Sequence, residues 1–395
     1  MSRDIGGESV AGKVGVLHII TGLSTGGAER ALYNLLNGGL AERFKSYIIS
    51  LSDEGTMGSR IRALGVPVAT LNMRGGRPSL SSLTKLRWAV RDFQPDIIQG
   101  WMYHGNLVAT FACRFASGCP ALVWNVRHTL YDLGYEKPMT RQVIRLTRFF
   151  STVPDVLLYN SQLSRKQHEI FGFASGNGQV IPNGIDMQRF LFSTESCQSV
   201  RCELGIPAKA QVIGHIARLH PMKDHPVFLR AAVDIALRYP ETHFILSGRN
   251  VSLDNKTFEY LIPVQLRDRF HLLGESSNVS ELMSAMDVFC LSSAWGEGFP
   301  NVIGEAMATG IPCVATDVGD NAIIIADTGM VVSPRDEGAL VVGIEKLLTM
   351  PLEKRSILGA SARSRIAENY TLGAIVDQYA ELYEQLMLKK RTGCA

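Results

Sequence analysis

Short apolar runs of strand character alternate with segments of helical periodicity along most of the chain, and this alternation restricts the fold more than any single motif does. In the first half the runs are VGVLHII (14–20), SYIISL (46–51), VPVATL (66–71), DIIQG (96–100), ALVWNV (121–126), DVLLYN (155–160) and QVIPN (179–183). The second half restarts the pattern with QVIGHIA (211–217), THFILSG (242–248), RFHLLG (269–274), DVFCLSS (287–293) and GIPCVATD (310–317). Between them lie segments such as GGAERALYNLLNGGL and SLTKLRWAVRDF, whose apolar positions recur at three and four residues. Strand, helix and strand in repetition predict a parallel, doubly wound α/β sheet. The interruption near VIPNGIDMQRF, where Pro182, Asn183 and Gly184 cluster, predicts two such Rossmann-like domains. The expected partition is 1–186, 187–370 and a C-terminal helical segment, 371–395. That last segment carries the amphipathic stretch TLGAIVDQYAELYEQLML and needs an apolar surface to cover, for which the first domain is the candidate. A length of 395 residues suits two domains.

Composition narrows the class. With 46% apolar and 19% charged residues, the chain reads as a soluble globular protein. Its seven cysteines include no CxxC pair, which argues against a disulfide framework or a structural zinc site and for a reducing cytoplasm. Asp4 and Glu8 precede the first apolar run, so no signal peptide is expected, and no window approaches the ~20 apolar residues of a membrane span. Charge is uneven: residues 1–188 hold 20 Lys and Arg against 13 Asp and Glu. The stretch from Arg60 to Arg91 has seven basic residues (60, 62, 74, 77, 85, 87, 91) and no acid, and Lys137 to Arg148 adds four more. Either these are solvated faces, or they form a surface for anionic lipid, with Phe149 and Phe150 beside the helically spaced Arg141, Arg145 and Arg148. No nucleic-acid module is present, and none is expected as a partner.

The polar motifs sit where strands end, the usual location of ligands in open α/β sheets. TGLSTGGAER (21–30) follows the first strand; Gly26 and Gly27 would let a ligand approach a helix N-terminus, although the spacing is not the GxGxxG of a nicotinamide site. GHIARLHPMKDH offers Arg218 and Lys223 on one loop, a pair suited to a diphosphate. WGEGFPNVIGEAMATG (295–310) places Glu297 and Glu305 eight residues apart, roughly 12 Å on an unbroken helix. Pro300 argues instead for a loop followed by a helix starting near it. Free amides at Gly298, Phe299 and Asn301 would then form an anion site lined also by Pro300, with Glu297 and Glu305 accepting from hydroxyl groups on either side. A diphosphate between two polyols is a nucleotide sugar. Either glutamate could also be an ordinary carboxylate at a helix start, and His104 and His128, each after a first-domain strand, could be structural or face the cleft.

GGAER, VIPNGID, ARLHPMKDH and EGFPNVIGEAMATGIPCVATDVGD, in this order and spacing, resemble the retaining glycosyltransferases of the glycogen-synthase-like group one, also classed as family four. The resemblance covers about residues 14–390 and is closest to bacterial enzymes of capsule, exopolysaccharide and lipopolysaccharide synthesis. It implies a GT-B architecture: an N-terminal acceptor domain, a C-terminal nucleotide-sugar domain, and a last helix packing back. It further implies that Arg218 and Lys223 bind the donor diphosphate, Glu297 the donor sugar and Glu305 the ribose. Gly26 and Gly27 would face donor phosphate and acceptor, backbone near Leu272 and Leu273 would hold the base, and His128 would contact the transferred sugar. His220 and Pro221 depart from the smaller or acidic residues common there.

The expected reaction is transfer of a hexose or N-acetylhexosamine from a nucleotide sugar, UDP-linked in the leading reading, to a saccharide or lipid-linked saccharide. No cofactor and no metal are expected, since the chain lacks an Asp-x-Asp triplet. The expected location is cytoplasmic, with peripheral contact at the inner face of the plasma membrane. A nucleotide-sugar epimerase or hydrolase, or a non-catalytic nucleotide-sugar-binding subunit, are the alternatives.

Overall fold

The computed structural model describes residues 12–24, 26–73 and 79–393. Asp4 and Glu8, part of the first Gly-rich motif, Arg74 and Arg77 of the basic run, most of the loop 72–80 and Cys394 lie outside the described residues. Seven strands form the first sheet: β1 (Gly15–Ile20), β2 (Lys45–Ser50), β3 (Val68–Thr70), β4 (Ile97–Trp101), β5 (Ala121–Val126), β6 (Val156–Tyr159) and β7 (Gly178–Val180). They pair in parallel in the order β3, β2, β1, β4, β5, β6, β7. Helices cover both faces, which is why a strand such as GVLHII is buried throughout instead of alternating with polar residues. The two-residue period divides its side chains: Val16 and Ile20 enter one core with Ile48, Ile97 and Val123, while Leu17 and Ile19 enter the other with Ile49, Ile98 and Leu122.

The second sheet has six parallel strands, β8 (Gln211–Ile216), β9 (Thr242–Ser247), β10 (Phe270–Leu272), β11 (Val288–Leu291), β12 (Cys313–Thr316) and β13 (Met330–Val332), in the order β10, β9, β8, β11, β12, β13. Every run read from the sequence is a strand. The sixth, β13, is not among those runs; it is three residues long, at the sheet edge and only half-buried, so its apolar signal is weak.

The chain crosses between the sheets twice, side by side. Ile185 N donates to Tyr370 O and Leu372 N to Ile185 O, at 2.8 and 2.9 Å, and Ile185 bridges Thr371. Gly184 permits this approach, because a Cβ there would stand 2.8 Å from Leu372 Cα. The last helix, Leu372–Gly393, then inserts Ile375, Val376, Tyr379, Tyr383 and Leu386 into the first-sheet core. Its two buried phenols are hydrogen-bonded, as buried polar groups need to be: Asn125 Nδ2 donates to Tyr379 Oη at 2.8 Å, and Tyr383 Oη donates to Gln99 Oε1. In each sheet the order reverses once, between β1 and β4 and between β8 and β11, and loops at these two switch points contribute to one cleft.

Candidate active site

The cleft has a volume of about 420 Å³. From the second domain it takes the loop after β8 (Ala217, Arg218, Met222, Lys223), the loop after β9 (Ser247 to Arg249) and the segment after β11 (Gly296 to Val302), with Glu305 behind it. The first domain contributes Gly26, Gly27, Arg30, Arg127, Asn160 and Asn183.

The loop after β8 is fixed by its neighbour strand. Ala294 N donates to Met222 O at 2.8 Å and Ser292 Oγ to Lys223 O at 2.8 Å. His220 and Pro221, the departures from the family pattern, start a tight 3-10 turn in which Met222 N donates to His220 Nδ1. The turn delivers Lys223 onto Glu297, whose Oε1 also accepts from Ser293 Oγ at 2.5 Å. Arg218 projects from the same loop, is exposed and has no ion pair among the described residues. Gly248, at φ +154, lies against this loop, and a Cβ there would meet Ala217 O at 2.1 Å.

The second glutamate segment breaks where Pro300 predicts. The helix runs Asn301–Thr309 with Pro300 at its N-cap position, and no side chain caps it. Its first amides therefore open toward the cleft, with the positive end of the helix dipole behind them. Glu297 stands in the preceding loop and Glu305 just over one turn inside; each is 7% exposed. Burial pushes the Glu305 carboxyl above its ordinary range, against the pull of Arg30 and Arg189. Arg30 reaches it from the first domain, Nη1 to Oε1 3.9 Å. A Cβ on Gly27 would meet no atom within 4 Å, so packing does not demand glycine there; the missing side chain leaves space in the cleft itself.

Contacts between domains surround these groups. Asn183 Nδ2 donates to Phe299 O at 3.1 Å and to Asn301 Oδ1, and its own Oδ1 accepts from Arg127. Asp320, in the DVGD turn, accepts from Gln162 N and Leu163 N at 2.8 and 3.1 Å, capping the helix Gln162–Phe171 of the opposite domain, and its amide donates to Gly298 O at 2.9 Å. Arg127 has no carboxylate partner among the described residues: Nη1 donates to Tyr379 Oη at 3.2 Å, and its guanidinium lies 5.5 Å from the Trp101 ring centroid.

Arg218, Lys223, Glu297, Glu305, Gly26, Gly27 and Gly298 to Asn301 thus meet in one cleft. Leu272 and Leu273 do not line it: Leu272 belongs to β10, and Leu273 N donates to Leu246 O at 2.9 Å. Glu275 and Ser276, a few residues on, reach the cleft instead. His128 is also absent from the lining; its Nε2 lies 2.7 Å from Glu136 Oε1 at the edge of the first domain. His104 is another half-buried histidine away from the lining, its pKa lowered by burial. Asn160, Arg127 and Asp320 escaped sequence reading because none stands in a pattern of its own: Asn160 ends a strand, Arg127 precedes the histidine that drew notice, and Asp320 is one acid in a turn.

Two family models match the chain: Glyco_transf_4, glycosyltransferase family 4, over residues 25–189, and Glycos_transf_1, glycosyl transferases group 1, over residues 198–365. The chain is 24% identical over 342 residues to the UDP-Gal:alpha-D-GlcNAc-diphosphoundecaprenol alpha-1,3-galactosyltransferase of Escherichia coli, covering 84% of this chain and 85% of that protein. It is 28% identical over 299 residues to the D-inositol 3-phosphate glycosyltransferase of Corynebacterium urealyticum, 69% of each chain. Among solved structures, Anabaena HepE in complex with UDP superposes with a TM-score of 0.80 at 22% identity, over 94% of this chain and 100% of that one. At that identity the likeness is one of fold.

Proposed function

Since the chain belongs to the glycosyltransferases of group 1 and family 4, with their GT-B fold, we propose that it is a retaining, metal-independent transferase. It moves a hexose or N-acetylhexosamine from a UDP-linked donor to a lipid-linked saccharide during cell-surface polysaccharide synthesis. One observation carries this reading: an unpaired arginine, a lysine and an uncapped helix N-terminus converge on one cleft between two buried glutamates. The three positive groups suit a diphosphate leaving group, and the two carboxylates suit hydroxyl groups on each side of it. UDP and the lipid-linked acceptor are favoured by the similarity to the Escherichia coli UDP-Gal:alpha-D-GlcNAc-diphosphoundecaprenol alpha-1,3-galactosyltransferase.

In this mechanism the bond from the anomeric carbon to the diphosphate oxygen breaks as the acceptor oxygen forms its bond on the same face, and the acceptor proton passes to a departing phosphate oxygen. Arg218, Lys223 and the amides at the start of helix 301–309 stabilise the charge that develops. Glu297 releases Lys223 to the phosphate as it takes up sugar hydroxyls, and Glu305 exchanges Arg30 for the ribose. Leu272 and Leu273 keep a role only through the turn that follows them, which brings Glu275 and Ser276 to the base. The functional division is 1–186 for the acceptor, 187–370 for the donor and 371–395 as the returning helix.

Melting curves with UDP, GDP and ADP, with and without magnesium, test the donor assignment. UDP is expected to raise Tm progressively as its concentration exceeds its Kd, equally in both conditions. A shift with GDP or ADP alone would overturn the choice of base, and a shift that requires magnesium would overturn metal independence. No described helix is long and apolar enough to cross a membrane. Peripheral attachment is supported by the exposed Leu80, Trp88, Lys85, Arg87 and Arg91 on one helix and by Arg145, Arg148 and Phe149 on another. Failure to sediment with anionic vesicles at low salt would remove it.

A further inference from the structure

An aromatic shelf stands at the rim of the cleft and has no role in the reaction described above. It is built by the loop after β5, where Asp132 Oδ1 accepts from Gly134 N at 2.7 Å and folds Leu133–Tyr135 into a 3-10 turn. The turn presents Tyr131 and Tyr135, which are 56% and 55% exposed, an unusual state for two neighbouring aromatic rings. Their centroids are 6.3 Å apart and their planes tilted by 37°, forming a shallow trough. The trough is registered on the second domain: Tyr135 stacks on Trp295 at 4.7 Å and 24°, and Trp295, two residues before Glu297, is held in its own domain by the Arg335 guanidinium, 5.3 Å from the ring centroid.

The flank of the trough is polar. Glu136, adjacent to Tyr135, is hydrogen-bonded to His128 Nε2, and that bond holds its carboxyl below the ordinary range, so it is an ionised acceptor at neutral pH. Ser164 Oγ donates to His128 O at 2.6 Å, tying the base of the loop to the helix that Asp320 caps. A ligand for this surface needs an apolar face with slightly positive C–H groups, to lie on the electron-rich face of a tyrosine, and hydroxyl groups along its edge for the carboxylate and imidazole. A pyranose ring has both.

We infer that Tyr131, Tyr135, Glu136 and His128 form an acceptor subsite that stacks one pyranose ring of the saccharide acceptor beside the reacting centre. The inference rests on the proposed reading of the acceptor as a saccharide, and it explains why His128 faces the rim and not the diphosphate cleft. The shelf lies on the first domain but is aligned by Trp295 of the second, so the acceptor ring is presented to the donor only when the domains stand as they do here.

Saturation-transfer NMR on the full chain with UDP present tests it, using methyl α-glycosides of N-acetylglucosamine, galactose and mannose as probes. At least one glycoside is expected to show saturation of its ring protons. Y131A, which leaves the Tyr135–Trp295 stack in place, and Y135A are expected to weaken binding by about three- to tenfold, the worth of one aromatic stack, whereas Y135F retains it. The Tm rise caused by UDP should be the same in Y131A as in the unaltered protein. Equal saturation in Y131A, Y135A and the unaltered protein overturns the shelf, as does a UDP response without any glycoside signal, which leaves the donor reading standing. Loss confined to Y135A together with a smaller UDP response makes Tyr135 a domain contact and also overturns it. Silence toward UDP and glycosides alike overturns both proposals.

Discussion

The two walls of the cleft are built differently. The second-domain wall is held by its own domain: Ser292 and Ala294 pin the loop of Lys223, Ser293 holds Glu297, and Gly319, at φ +68, packs so closely that a Cβ would lie 2.6 Å from both Glu297 O and Gly298 O. The first-domain wall is assembled from distant segments. Arg127 is tied to Tyr379 near the end of the chain and to Asn183 in the crossing, and Asn183 is tied to Phe299 across the cleft. A wall that closes on itself can recur as a compact sequence motif, whereas a borrowed wall depends on how the domains meet.

The largest effect should come from the self-contained wall. Arg218→Ala is expected to lower kcat by about 10²–10³-fold, comparable to removing one preorganised donor at a developing charge, with Tm unchanged because the guanidinium has no ion pair within the described chain. Glu297→Ala is expected to leave a folded protein with no measurable transfer. Steady-state rates and melting curves check both; near-normal turnover in either variant would dissolve the contrast between the walls.

On the borrowed wall, stability should respond before catalysis does. Tyr379→Phe removes the oxygen that serves both Asn125 and Arg127, leaving one buried and one half-buried donor short of a partner. Urea unfolding is expected to show a loss of about 1–3 kcal/mol. A loss of less than half that would mean solvent replaces the phenol and that this wall is less dependent on the last helix than its contacts suggest. Asp320→Ala should cost about 0.5–2 kcal/mol as a lost cap on helix 162–171, and limited proteolysis in the crossings 181–186 and 369–372 should speed up if the domains part. Unchanged cleavage there would show that the cap serves its helix and not the domain contact.

The smallest expected difference concerns acid. His168 in the first domain and His225 and His271 in the second are each lowered to about 4, chiefly by burial. Above the unfolded value near 6.5 all are neutral in both states and their contribution is fully present; as pH falls toward 4 the unfolded chain takes up protons that the native chain refuses, and stability is lost. Tm should therefore decline between pH 6.5 and 4. His168→Gln should flatten that decline, and an unchanged slope would show that other groups govern it.

Reading the sequence recovers much of the self-contained wall and little of the borrowed one. The parallel sheets follow from apolar runs long enough to be buried on both faces, and Pro300 predicts where the helix carrying Glu305 begins. Arg218 and Lys223 are legible as cations at a strand end, but their different states are not: Lys223 on Glu297 and Arg218 open is a matter of where one tight turn points. Asn160, Asn183 and Tyr135 acquire their positions from contacts more than a hundred residues away, as in Asn183 with Phe299 and Tyr135 with Trp295. No local spacing carries that information.

The returning helix has a consequence for biosynthesis. Val16, Ile97 and Val123 share a core with Tyr379, Tyr383 and Leu386, which are translated only after the whole of the second sheet. Of these two domains the one that emerges earlier is therefore completed later, and it waits with an open apolar face while the other is translated and folds. A nascent chain of this kind has its greatest need of chaperones after the first sheet has emerged and before helix 372–393 has, and translation that stopped short of that helix would leave the first core open.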